Sequence, residues 1–313
     1  MSKNTCKKTS IGGQALIEGI MMRGPKKTVM SVRQKDGAII REEVKWDSLT
    51  KKNKFFALPI IRGIVAFIES LVYGYKALMR SADLSGMLDE EEGEKKDSGT
   101  LMGVIGVVSL ILGLALAIGL FIYLPIALFN GLDYLIKADL KPYKVVIESV
   151  VKIAIFIAYI CSVALMKDVR RTFMYHGAEH KTIFCYEQGL PLSVENVRPQ
   201  RRFHPRCGTS FMILMLIVSI VINFLLILIF PGFKNHSILW GIAKILMIPL
   251  ICGIGYELIK FCGKRENLVT KIISAPGMWL QRATTKEPDD DMIEIAIDAL
   301  KAVIPDNPED DKL

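Results

Sequence analysis

LMGVIGVVSLILGLALAIGLFIYLPIALF, residues 101–129, runs for 29 positions without a charged side chain. A helix needs roughly 20 apolar residues to cross the hydrocarbon core of a bilayer, so this stretch predicts a membrane-spanning helix. Pro125 predicts a kink near its far end, because proline cannot donate a helical hydrogen bond. The composition agrees, since 51% of the 313 residues are hydrophobic and the mean hydropathy is +0.35. We therefore expect an α-helical integral membrane protein, and a largely disordered chain is excluded.

Three further stretches reach the length and apolar content of a membrane span, at residues 144–166, 211–230 and 236–261. Together with residues 101–129 they predict four transmembrane helices. The six cysteines are scattered through apolar and polar segments, which is not the pattern of a disulfide framework.

The orientation of these spans follows from the positions of Lys and Arg, which accumulate on the cytoplasmic side of a membrane. They number 13 in residues 1–54, 8 in 167–210 and 8 in 260–313, but only 2 in 130–143 and 1 in 231–235. Four spans with both termini in the cytoplasm satisfy all five counts. The net charge of +8 is thus an orientation signal, and no nucleic-acid partner is predicted.

Residues 55–80 form a fifth apolar stretch that is interrupted by polar side chains at helical spacing. These side chains are Arg62, Glu69, Tyr73 and Lys76. A narrow polar stripe favours a helix that lies at the membrane interface or is partly inserted. Residues 81–100, which contain DEEEGEKKD, are predicted to be a solvated acidic linker.

Residues 1–54 are predicted to form a small cytoplasmic module that contains β-structure. Residues 28–45 alternate in polarity around Asp36 and Gly37, a strong signal for a β-hairpin. The preceding GGQALIEGIMMRGP, residues 12–25, predicts either another strand or a glycine-rich surface loop.

Residues 262–313 are predicted to form a cytoplasmic tail with an amphipathic helix. Pro288 and the three aspartates after it provide a good helix start, because acidic residues are stabilised at the positive end of the helix dipole. The apolar face of this helix comprises Met292, Ile295, Ala296, Ala299, Leu300 and Val303.

The connection between the second and third spans holds three of the four histidines and predicts a metal site. His176, Glu179 and His180 match the motif H-x-x-E-H, which on a helix points both imidazoles at one ion. His204 and Cys207 provide a third and a fourth ligand of the types that Zn²⁺ accepts in tetrahedral sites. Zn²⁺ is the predicted cofactor, with another divalent transition metal as the alternative.

The number of ligands decides what residues 167–210 would do. Four protein ligands would make a closed, structural site. Three would leave a position open, with Glu179 as the general base of a hydrolase at the cytoplasmic membrane surface. This metal-dependent hydrolase, with His176, His180 and His204 as ligands and Cys207 as a fourth ligand or near neighbour, is the preferred prediction. The alternatives are a non-enzymatic scaffold with structural Zn²⁺ and a transporter that uses Glu148, Lys152 and Lys244 within the spans.

Other polar residues are candidates for the surroundings of the site. Glu18, Glu187 and Arg206 are possible neighbours of the predicted metal. A basic run comprises Arg198, Arg201, Arg202 and Arg206. Beside a membrane span such a run predicts contact with anionic lipid headgroups, and a second interpretation is a clamp on a phosphate or carboxylate substrate.

Four blocks of the sequence resemble the YqhQ-like family of bacterial membrane proteins, whose function is unknown. They are GGQALIEGIMMRGP (12–25), YHGAEHKTIFCYE (175–187), RFHPRCGTSF (202–211) and APGMWLQRATTKEPDDD (275–291). The resemblance covers nearly the whole chain. It implies a multi-pass protein of the bacterial inner membrane that is catalogued as a predicted metal-dependent enzyme with an unknown substrate.

Overall fold

The computed structural model describes residues 8–87, 98–136, 140–232, 236–265 and 267–311. The strands are β1 (Gly12–Leu16), β2 (Gly19–Arg23), β3 (Thr28–Arg33) and β4 (Ile39–Glu43). The helices are α1 (Leu49–Lys52), α2 (Ile61–Leu84), α3 (Ser98–Ile118), α4 (Leu124–Ile136), α5 (Lys144–Val163), α6 (Lys167–Glu187), α7 (Val194–Val197), α8 (Gly208–Ile229), α9 (Ser237–Leu246), α10 (Ile248–Lys264), α11 (Leu268–Thr284) and α12 (Asp290–Val303). Half of the predicted acidic linker, residues 88–97, lies outside the described residues.

Three helical stretches are long and apolar enough to cross a membrane: Val108–Ile136, Lys141–Val163 and Gly208–Ile229. They correspond to the first three spans expected from the sequence. The number rises to four if α9 and α10 together form one span. The molecule is therefore mostly helical, with apolar helices of the kind found in membrane proteins.

Two prolines mark departures from regular helix geometry. A π turn at Gly119–Tyr123 joins α3 to α4 and directly precedes the region of Pro125. Proline removes a hydrogen bond and its ring clashes with a carbonyl in the preceding turn, which a wider turn accommodates. The stretch expected as one helix at 236–261 is instead two helices, α9 and α10, bent by 43° at a break just before Pro249. Pro249 lies in the first turn of α10, where no N–H donor is required.

A four-stranded antiparallel sheet in the order β1-β2-β3-β4 occupies the N-terminal part of the chain. The hairpin expected around Gly37 is present, with β3 paired to β4 and Gly37 at φ +87°. Residues 12–25 form a second hairpin, β1 and β2, whose turn contains Glu18 at φ +51°. The sequence thus predicted one hairpin where the chain has two.

Helices α6 and α12 cover one face of this sheet. Their shared core with the strands contains Ile20, Met22, Tyr175, Ala178, Ile293, Ala296 and Leu300. Near the end of the chain, Asp311 accepts hydrogen bonds from the hydroxyl of Thr9 at 2.5 Å and the backbone N–H of Ser10 at 3.1 Å. The two ends of the described chain are therefore in contact, and both belong to the domain that contains the sheet.

Helix α2 turns its polar stripe toward protein. The Arg62 guanidinium donates to Glu257 of α10 at 2.6 Å, and buried Glu69 accepts from the Ser48 hydroxyl at 2.9 Å. The Tyr73 ring stacks on Trp46 with centroids 4.5 Å apart. The stripe is thus explained by protein contacts, and the interfacial position of this helix stays a prediction.

The crossing of α2 and α10 predicts a stability effect. A Cβ atom on Gly253 would lie 2.7 Å from the backbone oxygen of Ile60, and one on Gly63 would lie 3.0 Å from the Gly253 Cα. We expect Gly253→Ala to lower the apparent unfolding temperature in detergent by several degrees, since overpacking costs about 1–3 kcal/mol. The control is Gly131→Ala in α4, where an added Cβ meets nothing within 4 Å. Equal unfolding temperatures for the two variants would contradict the close packing of α2 against α10 at Gly253.

Candidate metal centre

Three potential metal ligands meet where α6 passes the start of α8. His176 and His180 lie four residues apart on α6, and Cys207 is the N-cap residue of α8. One ligand atom from each lies within 4.8 Å of the others. The His176 Nε2 is 3.0 Å from the Cys207 Sγ.

A backbone carbonyl contacts the Nδ1 atom of each of the two imidazoles. The Nδ1 of His176 contacts the carbonyl oxygen of Thr284 at 2.8 Å, and the Nδ1 of His180 contacts that of Arg202. A carbonyl oxygen only accepts, so each Nδ1 carries the proton and each Nε2 is unprotonated; the Nε2 of His176 faces the Cys207 thiol, and that of His180 has no partner among the described residues. Metal-bound histidines are typically fixed by such a hydrogen bond on the second nitrogen.

The donor set fits a transition metal. The buried Nε2 of His180 has no hydrogen-bond partner among the described residues, which is costly for a polar atom and would be satisfied by an ion. Burial, assisted by His176, lowers the pKa of His180 and so favours the neutral, ligating form. Two nitrogens and one sulfur suit Zn²⁺.

Glu179 is buried beside these ligands. Burial raises its pKa to about 7; the neighbouring Cys207 adds to this rise, and His176 opposes it. Strand β1 packs directly on the side chain, since a Cβ atom on Gly13 would lie 2.9 Å from the Cγ and Cδ of Glu179. Glu179 is thus held in place and is able to exchange a proton near neutral pH.

His204, the other histidine predicted as a ligand, lies next to the three-ligand group. Its ring centroid is 5.6 Å from that of His180. Its Nδ1 accepts from the backbone N–H of Arg206 at 3.3 Å, and its Nε2 is 3.8 Å from a Glu187 carboxylate oxygen. His204 is not among the three residues whose ligand atoms converge, and its role as a ligand stays a prediction.

The three polar neighbours that the sequence suggested lie in two different places. Buried Glu187 and partly buried Arg206 form an ion pair, and both bind the backbone of Thr9: its N–H donates to Glu187 at 3.0 Å, and its carbonyl oxygen accepts from Arg206 at 2.6 Å. Burial would raise the pKa of Glu187, but His204 and Arg206 outweigh that effect and lower it. Glu18 lies in the turn between β1 and β2, pairs with Arg171 and accepts from the Tyr175 hydroxyl at 3.2 Å.

A cleft of about 630 Å³ opens on the three ligands. Glu179 and residues 9–15 line it together with the first turn of α8. A cleft of this volume is large enough to admit a small substrate to the ligand atoms.

Sequence reasoning missed several residues that build the site. Gly13 packs on Glu179, and Thr284 supplies the carbonyl for His176. The buried Gln281 side chain bonds both the N–H and the carbonyl oxygen of His204, each at 2.7 Å. Gly13, Gln281 and Thr284 all fall in the blocks that carried the family resemblance, which was the available signal.

Glu148 and Lys244, two of the charged residues within the stretches expected to be spans, form an ion pair. Lys244 of α9 donates to Glu148 of α5, and the Trp240 indole donates to the same carboxylate oxygen at 3.0 Å. Lys152 lies one turn after Glu148 and is also buried. This arrangement explains the pair as a contact between helices.

Comparison with known proteins gives a family without a known reaction. The profile of a family described as "Protein of unknown function (DUF1385)" matches residues 58–306. The "Uncharacterized protein YqhQ" of Bacillus subtilis is 35% identical over 305 residues, which cover 94% of this chain and 92% of that protein. No solved structure matches the chain.

The environment of Glu179 predicts a pH-dependent stability difference in chelator-treated protein. Its folded-state pKa of about 7 lies above the reference value of 4.5, so the contribution of this proton to stability is complete below pH 4.5 and lost as pH rises to 7. Glu179→Gln should therefore gain stability over the parent between pH 5 and 8, by at most about 3 kcal/mol. Thermal unfolding across this range measures it, with Glu43→Gln at an exposed strand position as the control. If the stability difference between Glu179→Gln and the parent did not change with pH, the raised pKa of the buried Glu179 carboxyl would be contradicted.

The contact of β1 with Glu179 predicts that alanine substitutions at two adjacent glycines differ in their effect on stability. Gly13→Ala would place a methyl group on the Glu179 side chain and should lower the apparent unfolding temperature by several degrees. Gly12→Ala adds its Cβ where no atom lies within 4 Å and should leave it unchanged. If both substitutions are tolerated equally, β1 does not pack on Glu179.

Proposed function

The chain belongs to the DUF1385 family of proteins of unknown function, whose description assigns no reaction, so we propose its activity from the site: a Zn²⁺-dependent hydrolase at the cytoplasmic surface of a bacterial inner membrane. Four membrane-spanning segments, with α9 and α10 as the fourth, and both termini in the cytoplasm are part of this proposal. The distribution of Lys and Arg supports that orientation.

One observation carries the proposal. His176 and His180 both have Nδ1 committed to a backbone carbonyl, and the Nε2 of His180 is left buried without a partner beside Cys207. A purely structural pair of histidines would normally satisfy both ring nitrogens with protein groups. The unsatisfied nitrogen favours an ion as the missing partner.

The ligand count favours catalysis over a structural role. A closed site needs four protein ligands, whereas the ligand atoms of three residues converge among the described residues. A structural site with His204 as the fourth ligand is the alternative, which requires its ring to leave Glu187 and Arg206.

The side chains around the site have distinct roles in the proposed reaction. Bound Zn²⁺ would supply a Lewis acid that polarises the bond to be cleaved. Glu179 accepts a proton from the attacking water on a carboxylate oxygen and delivers it to the leaving group. Gly13 keeps that carboxylate in position, and the carbonyls of Thr284 and Arg202 keep the two imidazoles oriented.

Metal analysis of detergent-purified protein tests the site. We expect about one Zn²⁺ per chain in the parent and none in a His176→Ala, His180→Ala double variant. His236→Ala, which removes a histidine at the start of α9, is the control and should retain the metal. His204→Ala should also retain it. Loss of metal in His204→Ala would indicate a closed site and contradict the hydrolase, and no metal in the folded parent would remove the proposal altogether.

Hydrolysis is tested separately with a variant that keeps the metal. Protein reconstituted in vesicles of bacterial polar lipids is incubated, and the products are identified by mass spectrometry. The parent should produce cleavage products that gain the mass of one water, and Glu179→Gln should lower their rate by about 100-fold or more, the range expected for loss of a general base. Cleavage at the parental rate by metal-loaded Glu179→Gln would contradict the assigned role.

A further inference from the structure

A second cleft lies beside the metal centre and shares a wall with it. It has a volume of about 710 Å³ and is bounded by α11, the end of α10 and the segment before α8. His204 and Arg206 line both clefts. Because the rings of His204 and His180 are 5.6 Å apart, the second cleft comes within one side chain of the metal ligands.

This second cleft is strongly cationic, and we call it the basic cleft. Its basic lining residues are Lys8, Arg201, Arg206, Arg265, Lys271 and Arg282. Among the described residues, Glu187 is the one carboxylate of the lining, and it is paired with Arg206. The lining residues come from separate parts of the chain, so the charge cluster arises only in the folded protein.

Four basic residues outside the basic cleft have carboxylate partners. The ion pairs are Arg171 with Glu18, Lys181 with Glu287, Arg198 with Asp290 and Arg202 with Glu287. The structure thus divides the basic run of the sequence, because Arg198 and Arg202 lie outside the lining of the basic cleft.

Four cations of the basic cleft have no such partner. Throughout residues 8–87, 98–136, 140–232, 236–265 and 267–311, no carboxylate forms an ion pair with Arg201, Arg265, Lys271 or Arg282. Several unpaired cations around one concave site attract an anion, and guanidinium groups bind phosphate oxygens with charge-assisted hydrogen bonds.

The remainder of the basic cleft is apolar. Phe184, Phe203, Met278 and Trp279 contribute to its lining. Helix α11 packs against the start of α8, where a Cβ on Gly277 would overlap the Ser210 side chain, and its opposite side leaves Leu268, Ile272 and Trp279 more than half exposed. Exposed apolar side chains beside a candidate span are suited to lipid, and tryptophan is enriched at the membrane interface.

We propose that the basic cleft binds the phosphate headgroup of an anionic membrane phospholipid, with the acyl chains lying along the exposed apolar face of α11. The unpaired cations account for the phosphate, and the aromatic lining together with the exposed face of α11 accounts for the hydrocarbon. A free phosphate ion would require only the first of these features.

The shared wall also identifies this lipid as the substrate class of the metal centre, an extension that rests on the proposed hydrolase. Hydrolysis would add OH to the acyl carbon or phosphorus of one ester bond and H to the leaving oxygen, so water is the only co-reactant. Binding in the basic cleft itself requires no metal.

Lipid retention in native mass spectrometry tests the binding site. Protein in neutral detergent is titrated with phosphatidylglycerol or with phosphatidylcholine that carries the same acyl chains. We expect the parent to prefer phosphatidylglycerol, and Arg201→Ala, Arg282→Ala to lower this preference about tenfold, the loss expected for removing charge-assisted bonds to phosphate. The control is Arg41→Ala, Arg198→Ala, which removes the same charge from two exposed, ion-paired residues outside the cleft.

The competing outcomes each overturn the proposal. Equal retention of the two lipids, or an equal loss of preference in the control, would exclude a headgroup site in this cleft. Displacement of bound phosphatidylglycerol by inorganic phosphate at equal concentration would indicate a site for the free ion.

The same assay separates this proposal from the proposed enzyme. The His176→Ala, His180→Ala variant should lose metal and retain phosphatidylglycerol. If the parent binds lipid selectively but contains no metal, the lipid site in the basic cleft is supported and the hydrolase is contradicted. Metal binding without lipid selectivity would do the reverse.

Discussion

Two hydrogen bonds, from the imidazoles of His176 and His180 to the carbonyls of Thr284 and Arg202, determine what the candidate site is able to do. They fix the tautomer of each ring, and they connect α6 to α11 and to the segment before α8. A shift of either partner segment would rotate an imidazole away from Cys207. The chemistry of the site therefore depends on the packing of α6 against two segments, one 22 and the other 108 residues further along the chain.

Close backbone contacts make this packing possible. Gly177 lets α6 approach the backbone of Lys286, Gly277 lets α11 approach Ser210, and Gly13 brings β1 onto Glu179. Each contact leaves no room for a side chain. The glycines thus set the distances between the elements that carry the ligands. The hydrogen bonds of the site form between elements that these close contacts have already brought together.

The sequence predicted the parts of the structure that depend on local pattern. Apolar length identified the helices at α3–α4, α5 and α8, the Asp36-Gly37 signal identified a hairpin, and H-x-x-E-H placed two imidazoles on one helix face. It did not predict the break between α9 and α10, because Pro249 lies in an apolar run whose composition is continuous.

The convergence of His176, His180 and Cys207, and the position of His204 beside them, depend on tertiary contacts. Gln281 holds the backbone of His204, while Glu187 and Arg206 engage its ring. None of these contacts follows from spacing along the chain. The same limit applies to the basic run, since carboxylates far away in sequence decide which arginines are neutralised.

The contact of Thr9 and Ser10 with Asp311 has a consequence for how the protein is made. The strands leave the ribosome early, but α6, which packs on β1, begins only past the middle of the chain, and α12, which packs on β2 and β3, follows near its end. A domain closed by contacts of such long sequence separation folds slowly, and its early strands remain without their packing partners in the meantime. The apolar helices between them are made before α12 leaves the ribosome, so the domain formed by the sheet, α6 and α12 has to assemble across helices that have already been synthesised.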